Sequence, residues 1–180
     1  MNIGTTTATV AAIPELARQR INRYIEDLIA LEASGVTGMK DMIEEATDPQ
    51  DIALFTQHLA ETETQKRRLE VRLAELGGVP NRLKDIVNKI GIAASDLLSV
   101  GKDAEDKATR NVIQAFTVEN AEIGAYESLI AAASAVGDTQ TAALAKEIQA
   151  EEKAAAQKLF ARIAPLAATA IVIGISEGRD

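Results

Sequence analysis

The stretch AFTVENAEIGAYESLIAAA, residues 115–133, decides the fold. Ala115, Phe116, Ile123, Tyr126, Leu129, Ile130 and Ala133 recur at helical spacing, and Glu119 and Glu122 stand on that same apolar face. A carboxylate in a core is costly unless a cation, a base or a proton accompanies it, so this helix is built around some chemistry. Three other stretches repeat the pattern. Glu32 interrupts the stripe Ile21, Tyr24, Ile25, Leu28, Ile29, Val36, Met39 and Ile43; Glu61 interrupts Leu54, Leu69, Leu73 and Leu76; Glu152 interrupts Leu144, Ile148, Leu159 and Ile163.

The chain around these stripes has 180 residues, enough for one domain with a real core. Its composition is 47% hydrophobic with three Phe, two Tyr and no Trp, and Ala, Leu, Ile, Glu and Lys dominate, as in an all-helical protein. There is no cysteine, which excludes disulfides, thiolate zinc sites, iron-sulfur clusters and thiol catalysis. A metal would have to be held by oxygens and at most one imidazole, a donor set suited to Fe, Mn or Mg. The formal charge of -8 argues against nucleic acid and against an anionic membrane surface. The basic residues Lys66, Arg67, Arg68 and Arg72 alternate with Glu63, Glu70 and Glu75, which reads as a salt-bridged face. No secretory signal is visible, and the apolar run Leu166 to Ile175 has about half the length needed to span a bilayer. These features together predict a soluble, cytoplasmic protein.

Pro and Gly punctuate four long helices. Residues 1–12, small and rich in Thr, form a loose tail. The first helix starts at Pro14 and runs to about Ala46, with a disturbance near Gly35 and Gly38. Asp48 as N-cap and Pro49 at the first helical position open the second, which Gly77, Gly78 and Pro80 stop after Leu76. Asn81 to Val100 reads as one or two short bridging helices. The third helix runs from near Asp103 to Gly137, and the fourth, capped by Asp138 or Thr139, ends at about Ile163 before Pro165. The expected layout is a tail (1–12), an all-α ferritin-like four-helix bundle (13–165) of two hairpins joined by a crossover, and a C-terminal apolar segment (166–180). Each hairpin supplies two inward carboxylates at comparable separation, so Glu32, Glu61, Glu119 and Glu152 meet at one level, the arrangement a pair of divalent metals needs.

The usual di-iron bundle draws Glu-x-x-His from two of its helices. This chain has one histidine, His58, in the reverse order His-x-x-Glu with Glu61, and Ala155 lies three residues after Glu152. The stretch Glu44 to Gly77, containing ATDPQDIALFTQHLAETETQKRRLEVRLAELG, resembles the second helix of the YciE/YciF-type ferritin-like family of bacterial stress-associated proteins, with His58, Glu61, Thr62, Gln65 and Leu69 in the expected places. VENAEIGAYESL, with Glu119, Glu122 and Tyr126, is similar to that family's third helix; Glu32 in IALEASG and the pair Glu151 and Glu152 extend the likeness over roughly residues 20–165. The resemblance implies a commonly dimeric bundle with a dimetal centre and no established reaction. Asn120 stands where many members carry histidine, and Ala155 where a further polar ligand is often found.

The expected metal ligands are therefore Glu32, Glu61, Glu119, Glu122, Glu152 and His58, with Tyr126 and Gln65 as supporting residues. His58 is open to two readings, a ligand or a packing histidine that orients Glu61. Tyr126 reads as a core phenol bonded to a buried carboxylate. Glu151 is expected to face solvent. Two functions compete: a metal-dependent oxidoreductase or iron-handling protein using Fe or Mn with oxygen or peroxide, and a structural or interaction bundle that has lost its metal. A cage is a third. The expected partners are divalent metal ions and a second copy of the chain, since Leu166 to Ile175 would leave an apolar surface on a monomer.

Overall fold

A computed structural model describes residues 13–79 and 106–176, and among these the regular structure is helical throughout. The four helices are α1 (Glu15–Glu45), α2 (Pro49–Glu75), α3 (Lys107–Ala135) and α4 (Thr139–Ser176). Short connections make α1 with α2, and α3 with α4, two antiparallel hairpins. The hairpins meet through α1 and α3, as the expected bundle requires, while α2 and α4 touch least. The tail (1–12) and the bridging helices over 81–100 lie outside the described residues.

Local chemistry sets the boundaries. The Asp48 carboxylate accepts from the Gln50 N–H at 2.8 Å and Pro49 follows it, so α2 starts where its unpaired donors are met. Gly77, at φ 76°, lets α2 turn off, and the Gly78 N–H then reaches the Leu73 carbonyl at 2.9 Å. Gly137, at φ 78°, does the same for α3, and Asp138 caps α4 by accepting from the Thr141 N–H at 3.0 Å.

Two expectations about the helices are corrected. α1 runs unbroken through Gly35 and Gly38. A Cβ on Gly35 would sit 3.4 Å from Thr62 Cγ2 and 3.9 Å from Glu122 Oε1, so this glycine lets α2 and α3 come close. α4 does not end before Pro165 but continues to Ser176. Pro165 is on the exposed face, where water can serve the one carbonyl that loses its amide donor, and buried Leu166 and Ala170 anchor the extension. Ile171, Val172 and Ile175 remain exposed beyond it. By length and composition alone α4 is apolar enough to cross a bilayer, with a mean hydropathy of 1.9 over its most apolar 18 residues.

The core is divided. One apolar cluster gathers Ile21, Ile25, Leu28, Leu69, Leu73, Leu129 and Ile148; the other gathers Met39, Met42, Phe55, Val112, Leu159 and Leu166. Between those two sets every helix carries buried polar residues: Glu32 on α1, His58 and Thr62 on α2, Glu119 and Glu122 on α3, Glu152 on α4.

Candidate metal centre

The polar layer is closed to solvent. Glu32, His58, Glu119, Glu122 and Glu152 are each at most 4% exposed, so five of the six expected ligands turn inward. Glu61 does not. Its side chain is 35% exposed, and it accepts from the Gln57 amide at 2.8 Å while standing 3.9 Å from His58 Nδ1 and 4.0 Å from Lys158 Nζ. The inward stripe of α2 is Asp51, Phe55, His58, Thr62, Gln65 and Leu69, and Glu61 falls one step off it. Counting apolar residues alone set the phase of this helix wrongly, because most of its inward positions are polar.

The contacts join all four helices. His58 Nε2 and Glu119 Oε1 are 2.7 Å apart, bridging α2 and α3. Tyr126 donates its hydroxyl proton to Glu32 Oε1, bridging α3 and α1 as a buried phenol should. Ligand atoms of His58, Glu119 and Glu152 lie within 4.8 Å of one another. Gln65 is buried as well: its amide donates across the bundle to Glu151 Oε2 at 3.1 Å, and its Oε1 is buried without a partner. Glu151 is exposed as expected and is also held by Arg68 at 2.8 Å. Asn120 is exposed and donates to the Phe116 carbonyl at 2.7 Å, so the residue at this position does not bear on the buried layer.

Burial is the main electrostatic cause here. It pushes Glu32 up to about 8, helped by the negative charge of Glu152 and opposed by the Tyr126 hydrogen bond. Burial likewise raises Glu119 to about 7 and Glu152 to about 10. Of that pair Glu152 is raised the more, by burial first and then by its neighbour Glu119. Glu122 is raised well above the carboxylate range by burial and by the charges of Glu32, Glu119 and Glu152. His58 is lowered by burial, against the pull of the carboxylates around it.

The protein satisfies these groups only in part. Glu32 Oε2, Glu119 Oε2, Glu122 Oε1, both oxygens of Glu152 and His58 Nδ1 are buried without a hydrogen-bond partner. Such atoms are rare in native proteins, and most here are carboxyl oxygens, whose lone pairs a cation can take as any proton leaves. An oxygen-rich set with one imidazole fits a divalent cation of the Fe or Mn type. His58, Glu119 and Glu152 could hold one ion, and Glu32 and Glu122 supply the remaining oxygens for a second.

Sequence reasoning missed the polar clasps between α2 and α4. At one end Arg162 binds Asp51 at 2.5 Å and also Asp48. At the other end Arg72 reaches Thr141 at 2.7 Å and Asp138 at 2.8 Å, and Arg68 spans to Glu147 at 2.8 Å. Each pairs residues far apart in the chain, so helical periodicity carried no sign of them.

The whole match settles the family. A domain of unknown function, DUF892, matches residues 18–171. The chain belongs to that family. The E. coli stress protein YciF shares the fold at a TM-score of 0.73 and 20% identity, over 86% of this chain and 98% of that one. YcfI, described as a putative structural protein from Rhodopseudomonas palustris, is 26% identical at a TM-score of 0.70, over 84% and 97%. A DPS protein from Vibrio cholerae O1, described as a member of a broad superfamily of ferritin-like diiron-carboxylate proteins, superposes at 0.69 with 12% identity, over 89% and 99%. The YciF-type ferritin-like bundle read from the sequence is thus the fold of this family member.

Proposed function

We propose that this protein binds a pair of divalent metal ions, iron or manganese, in its buried carboxylate layer, and uses them for oxygen or peroxide chemistry or for handling iron under stress. The observation that carries the reading is the set of buried, unpartnered ligand atoms on Glu32, His58, Glu119, Glu122 and Glu152. A pair of cations answers both problems of the layer at once, the missing partners and the mutual repulsion. The bound metal would supply redox or Lewis-acid chemistry. The chain's own part is to hold five ligand side chains on four helices, to exclude bulk water, and to keep a phenol, Tyr126, hydrogen-bonded to Glu32.

Support also comes from the diiron-carboxylate description of the Vibrio cholerae relative and from the stress protein YciF. The exposed apolar end of α4 favours pairing of two copies there, which light scattering would test against a monomeric mass.

A metal-free structural bundle is the second reading. The His58 bond to Glu119 and the Tyr126 bond to Glu32 favour it, since part of the layer is satisfied by the protein itself. Melting curves with Mn(II), or with Fe(II) under nitrogen, separate the two. Metal binding raises the melting temperature of the wild-type protein, and Glu119→Gln, which keeps a hydrogen bond to His58, removes most of that rise. A wild-type curve unmoved by either ion favours the structural reading.

A further inference from the structure

We infer that the cleft between α2 and α4 is the route by which a divalent cation reaches the buried layer, with Glu61 receiving it and Lys158 holding the mouth closed. The inference rests on the metal reading above and concerns how the ion arrives rather than where it stays.

Three sides of the layer are shut by packing. The two hairpins are closed by α1 against α2 and by α3 against α4, and the hairpins are joined through α1 and α3. The fourth side, α2 against α4, is fastened instead by arginines above and below the layer, Arg162 on one side and Arg68 with Arg72 on the other. Between these clasps a narrow cleft opens, lined by Gln57, His58, Glu61, Ala155 and Lys158 among others. Ala155 matters here by its size, since it lines this narrow cleft beside His58 with a buried methyl rather than a longer side chain.

The charges along the cleft form a sequence. At the outside, Lys158 Nζ stands 4.0 Å from Glu61 Oε1, and both side chains are in contact with water. One step further in, Glu61 Oε2 is 3.9 Å from His58 Nδ1, a buried nitrogen with no partner. On the far side of the same ring, Nε2 meets Glu119. Glu61 therefore has one oxygen toward the surface cation and the other toward the buried imidazole. A divalent ion can displace Lys158 from Glu61, because two charges at contact outweigh one held 4.0 Å away. It can then pass to the buried set. Glu151 lies near the layer too, but Arg68 and Gln65 already occupy its oxygens.

The test is stopped-flow uptake of Co(II) by the full chain, followed by its visible absorption, with equilibrium titration on the same samples. Glu61→Gln slows uptake about tenfold and Lys158→Gln speeds it severalfold, in the range that local charge changes association rates. Ala155→Val, which narrows the passage without touching a charge, slows it as well. The number of ions bound and their affinity stay as in the wild type. Rates unchanged in Glu61→Gln and Lys158→Gln, with Co(II) still bound, would overturn the route and leave the metal centre standing. So would loss of one bound ion in Glu61→Gln, because Glu61 would then be a resident ligand. Failure of the wild-type protein to take up any Co(II) overturns the metal reading itself, and the route with it.

Discussion

The apolar clusters at the two ends of the bundle and the polar layer between them ride on the same four helices, yet they meet burial in opposite ways. At the ends, leucine, isoleucine and methionine fill the space, and the polar groups that intrude, Arg72 and Arg162, are clasped by Thr141, Asp138, Asp51 and Asp48. In the middle, four carboxylates and an imidazole are shut in with several atoms unpartnered. The difference shows where stability resides and where it is given up. The ends hold the helices in register, and that grip forces together side chains that would otherwise repel each other.

The largest effect should come from the ends. Leu69 is fully buried in one cluster, and Leu69→Ala should cost about 3 kcal/mol in urea unfolding while leaving the metal-induced rise in melting temperature intact. A loss below about 1 kcal/mol would mean that the clusters do not anchor the bundle. Next is the pH dependence of the metal-free protein. Burial above all pushes Glu32, Glu119 and Glu152 up to about 8, about 7 and about 10 in the folded state, against an ordinary value of 4.5. A carboxyl raised by folding stabilises the native state fully below its ordinary value and loses that contribution as pH rises toward its folded value. The melting temperature should therefore fall by several degrees between about pH 5 and pH 8, and Glu122→Gln, with one fewer charge, should flatten the slope. The metal-loaded protein should show the opposite trend, since ligation releases protons. A metal-free melting temperature that rises over this range would break the contrast between layer and ends.

Smaller effects sharpen it. Tyr126→Phe removes the hydrogen bond to Glu32 and should lower the stability of the metal-free protein by about 1 kcal/mol in the same urea experiment. Ala155→His restores a Glu-x-x-His pair on α4 next to the buried layer and should tighten Mn(II) binding severalfold in calorimetric titration. An unchanged affinity would mean that a ring at this position does not reach the ions.

Much of the molecule was legible in its sequence, for reasons that individual residues show. Glu32, Glu119 and Glu152 stand out because their helical neighbours are apolar, so the phase of α1, α3 and α4 was fixed by hydrophobic periodicity. α2 was not, because His58, Thr62 and Gln65 occupy inward positions and the stripe no longer looks hydrophobic; Glu61 was consequently placed inside when it lies at the rim. Pro165 misled in another way. Its effect on a helix depends on which face it occupies, and that is set by tertiary packing. The absence of histidine at 155 reads as a missing ligand in sequence and, in three dimensions, as a buried methyl that lines a narrow cleft.

If the buried layer is a binding site for two cations, it should take them up from solution and keep them. Anaerobic titration of metal-free protein with Fe(II) or Mn(II), with calorimetry in two buffers of different ionisation enthalpy and elemental analysis of the gel-filtered product, measures it directly. Two ions should be retained per chain with a net release of protons, both reduced in Glu119→Gln. Wild-type protein that retains no ion and releases no proton would contradict this.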